Sequence, residues 1–167
     1  PETIKKLFKR AMIIGRRFKI VHVTINYHTL EVSTFRSKKQ GKINQHGMRV
    51  NDNAFGEMDE DILRRDFSVN GLYFDPVANQ LFDYINALGD IENKKIKVIG
   101  NPEERFIEDP VRMLRAARLA AKLNFNIDEP CLEAIGKLKH LLAKVSSDRL
   151  SLEIQKLFYG GYGQRSL

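Results

Sequence analysis

Short runs rich in β-branched and aromatic residues recur along this chain until KKIKVIGNPEE, and from residue 104 to 159 the spacing is helical throughout. Few architectures suit such a division. It predicts an α+β chain, with an antiparallel or mixed β-sheet and helices over 1–100 and an all-α part over 101–167. Upstream, ETIKKLFKRA sets Ile4, Leu7, Phe8 and Ala11 on one helical face. FKIVHVTINY and LEVSTFR read as two strands joined by a short turn near His28 and Thr29. Residues 37–53, SKKQGKINQHGMRVNDN, have no apolar period and read as a mobile loop. EMDEDILRRDF resumes helical spacing, and GLYFD with QLFDYI reads as a strand pair turning at Asp75-Pro76. Three helices are expected downstream, parted by Asn124–Pro130 and by Ser146-Ser147-Asp148. Gly160-Gly161-Tyr162-Gly163 reads as a helix stop.

Composition narrows the function. With 43% hydrophobic and 29% charged residues, the chain has the profile of a soluble globular protein. No apolar run approaches the roughly 18 residues of a membrane span, and no signal-peptide pattern opens the chain. The single cysteine, Cys131, cannot form an internal disulfide, and the four histidines lack zinc-ligand spacing. A cytoplasmic setting is expected. The net charge of +7 is concentrated at the start: residues 1–50 carry 12 Lys and Arg against 2 Asp and Glu. Such a basic segment favours a polyanion partner, nucleic acid or nucleotide, over a merely solvated surface.

Three stretches carry candidate chemistry. In IEDPVRMLRAARLAAKL, residues 107–123, Asp109 before Pro110 is a helix start. Met113, Ala116, Ala117, Ala120, Ala121 and Leu123 crowd one side, with Arg115, Arg118 and Lys122 opposite and Arg112 at the border. Val111 and Leu119 break the pattern and imply contact on more than one side. The stretch is either a bundle helix with a solvated basic face or a surface that holds a nucleotide. On the second reading, arginines meet phosphates while Asp109 accepts from an exocyclic amine and Arg112 donates to a ring acceptor. Adenine and cytosine present that edge; guanine and uracil present the reverse.

In RRDFSVN, residues 64–70, either the two arginines form local ion pairs with Asp66, or Arg65 meets a phosphate while Asp66 accepts a ribose hydroxyl or helps position a metal-bound group. Glu31 in LEVSTFR shares a strand face with Ser33 and Phe35, either as a cross-strand partner of Arg17 or Lys19 or as a metal ligand. Asp59-Glu60-Asp61 contains a D-x-D spacing, but carboxylates two apart diverge on a helix. These are expected to be first-turn acids.

The strings IIGRRFKIVHV, LEVSTFR, DNAFG, DEDILRRDFSVN, IGNPEERFIEDPVRMLRAARLAAKL and LFYGGYG, in this order, resemble the bacterial poly(A) polymerases. These are class II nucleotidyltransferases, alongside the tRNA CCA-adding enzymes. The resemblance implies template-independent addition of nucleotides to an RNA 3′ end, with ATP as donor and two Mg²⁺ ions. It implies a nucleotidyltransferase head over 1–100 and the start of a helical neck over 101–167. It places Arg65 and Asp66 at the sugar and active site, with Asn70 among the nucleotide contacts. Asp109 and Arg112 match the base-reading pair, and Arg115 and Arg118 match triphosphate-binding arginines. Glu31 matches the acidic residue of an E-x-x-T-F-R strand beside the catalytic carboxylates.

GRRFKIVHV and DNAFG are more similar to poly(A) polymerases than to CCA-adding enzymes, the alternative within the superfamily. The family's glycine-rich turn and D-x-D strand have no counterpart here, and Pro1-Glu2-Thr3 resembles the segment just after them. Glu31 and Asp66 alone are expected to hold metals poorly. The chain is therefore expected to be a weak catalyst or a non-catalytic nucleotide- or RNA-binding module. An exposed sheet edge is expected to favour self-association.

Overall fold

A computed structural model describes residues 1–15, 19–37 and 55–159. The architecture is α+β, in two compact units that divide between Arg64 and Arg65. Most of the expected loop, Arg17 and the glycine-rich stop at 160–163 lie outside the described residues.

The first unit opens with α1 (Glu2–Leu7), shorter than its apolar spacing predicts. Ala11, expected on that helical face, instead begins β1 (Ala11–Ile14), because AMII is a β-prone run. β2 (Ile20–Ile25) lies in the centre of an antiparallel sheet of order β1-β2-β3, with β3 spanning His28–Val32. The β2–β3 turn falls at Asn26 and Tyr27, not at His28 and Thr29. Asn26 tolerates the left-handed φ of 54° required there, and Ile25 pairs with His28. Ser33 lies beyond the end of β3, so the strand face expected to carry Glu31, Ser33 and Phe35 stops short.

Helix α2 (Met58–Arg64) carries Asp59, Glu60 and Asp61 in its first turn, as expected from helical spacing. Two of these acids tie down the segment after β3. Asp61 Oδ1 accepts the Arg36 amide at 3.1 Å, and Glu60 Oε1 accepts the Ser37 hydroxyl at 3.2 Å. Gly56 lies so close to that segment that an added Cβ would stand 2.5 Å from the Arg36 carbonyl carbon. The glycine of DNAFG thus serves a close backbone approach.

In the second unit, β4 (Leu72–Asp75) and β5 (Gln80–Asp83) form the expected hairpin. Asp75 Oδ1 holds its turn by accepting the Val77 and Ala78 amides at 2.8 and 3.2 Å. A helix not anticipated from the sequence follows, α3 (Ala87–Glu92). Asp83 caps it from a distance, taking the Ile85, Ala87 and Leu88 amides on its two oxygens. Next come β6 (Lys95–Ile96) and α4 (Pro102–Glu108), whose start is set by Asn101 accepting the Glu104 amide and by Pro102.

Among the described residues, four helices, not three, make up the C-terminal part. α4 is followed by α5 (Val111–Leu123), α6 (Glu129–Leu138) and α7 (Ser147–Tyr159). A 3₁₀ segment, Lys139–Lys144, follows α6. Between α5 and α6 the chain forms β7 (Asn126–Ile127), parallel to β6 with Lys95 opposite Asn126. No local pattern signals a two-residue strand. Phe67, Ile96, Val98, Phe106, Met113, Ala116, Leu119, Cys131 and Ala134 form the core of this unit. Val111 and Leu119 are buried while Leu123 is exposed, so α5 is indeed covered on more than one side.

Candidate nucleotide site

The site grows from the corner between α4 and α5. Asp109 is extended, with φ −147° and ψ 96°. Its Oδ1 accepts the Val111 amide at 3.3 Å, and its carbonyl accepts the Arg112 amide at 3.1 Å. The Asp-Pro step thus starts the helix as expected. The same carboxylate is gripped from α7: Arg149 Nη2 donates to Oδ1 at 3.0 Å and to Oδ2 at 2.9 Å.

Arg112 is held on the α4 side. Its Nη1 donates to Glu108 Oε2 at 2.7 Å and to the Arg105 carbonyl at 2.8 Å. Arg105 donates Nη1 to the same Glu108 oxygen and Nη2 to the Arg65 carbonyl, both at 2.6 Å. Burial lowers the pKa of Arg105 and the neighbouring Arg112 charge adds to it, while Glu108 opposes both.

One turn along α5, Arg115 Nη2 meets Asp66 Oδ2. Asp66 Oδ1 accepts the Phe67 amide at 2.9 Å and Asn70 Nδ2 at 3.2 Å. Arg65 donates Nη1 to the Asn70 carbonyl at 2.9 Å, and its guanidinium lies 4.7 Å from the centroid of the Tyr73 ring. Backbone pairing fixes this loop: the Asp66 carbonyl accepts the Ile99 amide, and the Ser68 amide donates to Lys97. Arg65, Asp66, Asn70 and Arg115 are therefore one contact cluster. Further along, Arg118 Nε donates to Glu153 Oε2 on α7 at 3.2 Å, and Lys156 reaches the other oxygen at 3.0 Å.

The arginines on the basic side of α5 are not a solvated stripe, whereas Lys122 is exposed. Arg112, Arg115 and Arg118 side chains are 13%, 38% and 21% exposed, and each faces a carboxylate. A polyphosphate arriving here competes with Asp66 for Arg115 and with Glu153 for Arg118.

Glu31 belongs to the first unit. Of its two expected partners, Lys19 pairs with Glu2 at 3.0 Å, and Arg17 is outside the described residues. Strand register places His22 directly opposite, with Nε2 3.4 Å from Glu31 Oε1. Among the described residues, no three His, Cys, Asp or Glu side chains are grouped to hold a metal. With Glu31 beside an imidazole and Asp66 beside a guanidinium, these two carboxylates do not by themselves fit a Mg²⁺ site.

Arg105, Glu108, Arg149 and Glu153 complete the site beyond the residues expected from sequence. Glu108 lies four residues before Arg112, a legible spacing. Arg149 and Glu153 lie 40 and 35 residues from their partners, and no spacing signals them.

Comparison with known proteins bears on the family. The family model for the poly A polymerase head domain matches residues 1–97. A second, described as the probable RNA and SrmB-binding site of polymerase A, matches 124–167. Poly(A) polymerase I of Escherichia coli O6:H1 is 42% identical over 171 aligned residues, 98% of this chain and 37% of that one. The CCA-adding enzyme of Bacillus pumilus is 34% identical over 168, covering 100% and 41%. The crystal structure of Bacillus stearothermophilus CCA-adding enzyme in complex with CTP matches all of this chain and 39% of its own. The TM-score is 0.84 at 28% identity. The chain thus spans 37% to 41% of the length of these relatives. No helix among the described residues is long and apolar enough to cross a membrane. With the head-domain match covering more than half of its residues, the chain belongs to the poly(A) polymerase head-domain family, among the nucleotidyltransferases that include the CCA-adding enzymes.

Proposed function

We propose that this chain supplies the nucleotide-holding surface of an enzyme that adds AMP from ATP to RNA 3′ ends. The observation that carries the reading is the corner at the start of α5, where Asp109 is held by the Val111 amide and Arg112 by Glu108, one turn before the Arg115–Asp66 cluster. In this reading Asp109 accepts from the adenine amine and Arg112 donates to the ring nitrogen. Arg115 and Arg118 exchange their carboxylates for the triphosphate. Arg65, Asp66 and Asn70 attend the sugar, with Asp66 near the reacting oxygens. Glu31 takes the acidic role that the E-x-x-T-F-R resemblance implies.

Mg²⁺ accompanies ATP as the cofactor, with ligands beyond Glu31 and Asp66. The relatives' names support the reading. Poly(A) polymerase I is 42% identical, against 34% for the Bacillus pumilus CCA-adding enzyme. A further solved relative is a tRNA nucleotidyltransferase complexed with a primer tRNA and an incoming ATP analog. A cytoplasmic location, mRNA as substrate and self-association through the outer strands β1 and β3 belong to the same proposal. Light scattering tests the last.

The test is transfer by the full-length product, with ATP alone against CTP plus ATP, on a generic RNA and on a tRNA lacking its 3′ end, and this chain by itself is expected to transfer weakly or not at all. Adenylate tails on generic RNA from ATP alone are expected. Ordered CCA addition to the tRNA would favour the CCA-adding reading, which the close structural match to that CTP complex keeps in view. Nucleotide binding with no transfer would leave a binding module.

A further inference from the structure

We propose that Tyr84, backed by Phe82, is a stacking platform for unpaired bases near the 3′ end of an RNA. The proposal rests on the reading of RNA as substrate and adds a site that the nucleotide cluster does not include. Strand register puts Tyr73 opposite Phe82, so these two side chains share one face of the β4–β5 hairpin. Tyr84 follows on the same face: its ring and that of Phe82 are nearly parallel, with 7° between their planes and 6.3 Å between their centroids. Arg65 covers Tyr73, its guanidinium 4.7 Å from the ring centroid. A row of rings thus leads away from the same arginine that binds the Asn70 carbonyl.

Ordinary cross-strand packing accounts for half-buried Tyr73 and Phe82. It does not account for Tyr84, which is 52% exposed and stands outside the core of its unit. The parallel ring behind it sets the plane of Tyr84 in advance, which lowers the cost of ordering it on a ligand. The ligand class follows from what surrounds the row. Every base has a π-face, so such a ring holds RNA without reading its sequence, as addition without a template requires. Duplex RNA keeps its base faces stacked inward and offers none. Arg65 is a cation at the nucleotide end of the row, where a strand entering the cluster brings its phosphates. The two carboxylates of the hairpin are engaged elsewhere. Asp75 accepts the turn amides, and Asp83, opposite Leu72 on the other face, caps α3.

The experiment measures Kd with the full 167-residue chain for ATP, for a short labelled oligoadenylate, and for a strand of the same length with abasic sites in place of its 3′ bases. The variants are Tyr84→Ala, Tyr84→Leu, Tyr84→Phe and, on the opposite face of the hairpin, Phe74→Leu, each checked for native circular dichroism. Tyr84→Ala and Tyr84→Leu are expected to weaken oligoadenylate binding about tenfold, the worth of one stacked base. Tyr84→Phe keeps a ring and is expected to bind as the native chain does, as is Phe74→Leu. Affinity for ATP and for the abasic strand is expected to stay unchanged in every variant. The salt dependence of oligoadenylate binding should also stay unchanged, because no phosphate contact is lost. If the native chain binds ATP but not oligoadenylate, or if Tyr84→Ala keeps native oligoadenylate affinity, the platform is overturned while the nucleotide reading stands. An equal loss for the abasic strand, or a loss matched by Phe74→Leu, would also overturn it by pointing to a general change in the hairpin. Self-association altered in Tyr84→Ala, with RNA affinity unchanged, would make the rings a protein contact and the proposal wrong. A chain that binds neither ATP nor oligoadenylate would sink the nucleotide reading and this proposal together.

Discussion

Arg118 and Glu153 differ in what they leave behind when removed, and the difference can be measured. The Glu153 side chain is 9% exposed and serves two cations, Arg118 at 3.2 Å and Lys156 at 3.0 Å. Arg118 is 21% exposed and Lys156 47%. Replacing Arg118 with Ala strands a buried carboxylate on its more exposed partner. Breaking a fully buried pair costs roughly 3–5 kcal/mol. Lys156 remains and part of the pair reaches water, so about 2 kcal/mol is expected. Glu153→Gln leaves one amide oxygen that still accepts from one of the two neighbours, and the cation it no longer serves can turn outward. Its cost should be about 1 kcal/mol or less. The assay is urea unfolding followed by far-UV circular dichroism for each single variant and for the pair, read as a double-mutant cycle. Arg118→Ala should be the costlier change, and it should cost less in the Glu153→Gln background than in the native one. The opposite order, or strict additivity, would refute the reasoning and make Glu153 a solvated surface acid in practice.

Other consequences are local. Burial raises the pKa of Asp83, but the amides of Leu88, Ala87 and Ile85 outweigh it and leave the value below the ordinary one. This carboxylate therefore contributes stability above the ordinary aspartate pKa of about 3.9, and the contribution is lost as pH falls through the lower folded value. Asp83→Asn should reduce stability at pH 7 and flatten the acid limb of the stability profile, measured by thermal melts at several pH values. Cys131 is 1% exposed and burial raises its pKa, so a thiol reagent should leave it unmodified in the native protein and react fully in denaturant. Gly56→Ala should destabilise the first unit by about 1–3 kcal/mol, seen as a lower melting temperature, because the new Cβ would collide with the Arg36 backbone.

Local physics made much of the molecule legible. Runs rich in β-branched and aromatic residues marked β2, β3 and the β4–β5 hairpin, and the Asp109-Pro110 step marked the start of α5. Each of these depends on residues within a few positions of one another, where side-chain periodicity and capping act. The diverging acids of α2 were recognisable for the same reason. Ala11 went astray because its helical spacing and its place in AMII point in opposite directions, and pairing with β2 decided between them.

Long-range partners followed no such rule. The basic residues of α5 could be placed on one side by periodicity, but whether they were solvated or paired depended on α7 and on the Asp66 loop. Arg149 on Asp109, Glu153 on Arg118 and the β6–β7 pairing each join positions more than 30 residues apart. Their energies come from charge and hydrogen bonding between surfaces that meet only after the core around Phe67, Phe106 and Met113 has closed. The residue types that can handle a nucleotide were set by the sequence alone. Which of their donors and acceptors remain available to one was decided by tertiary packing, because a donor's partner is chosen by proximity in space and not along the chain.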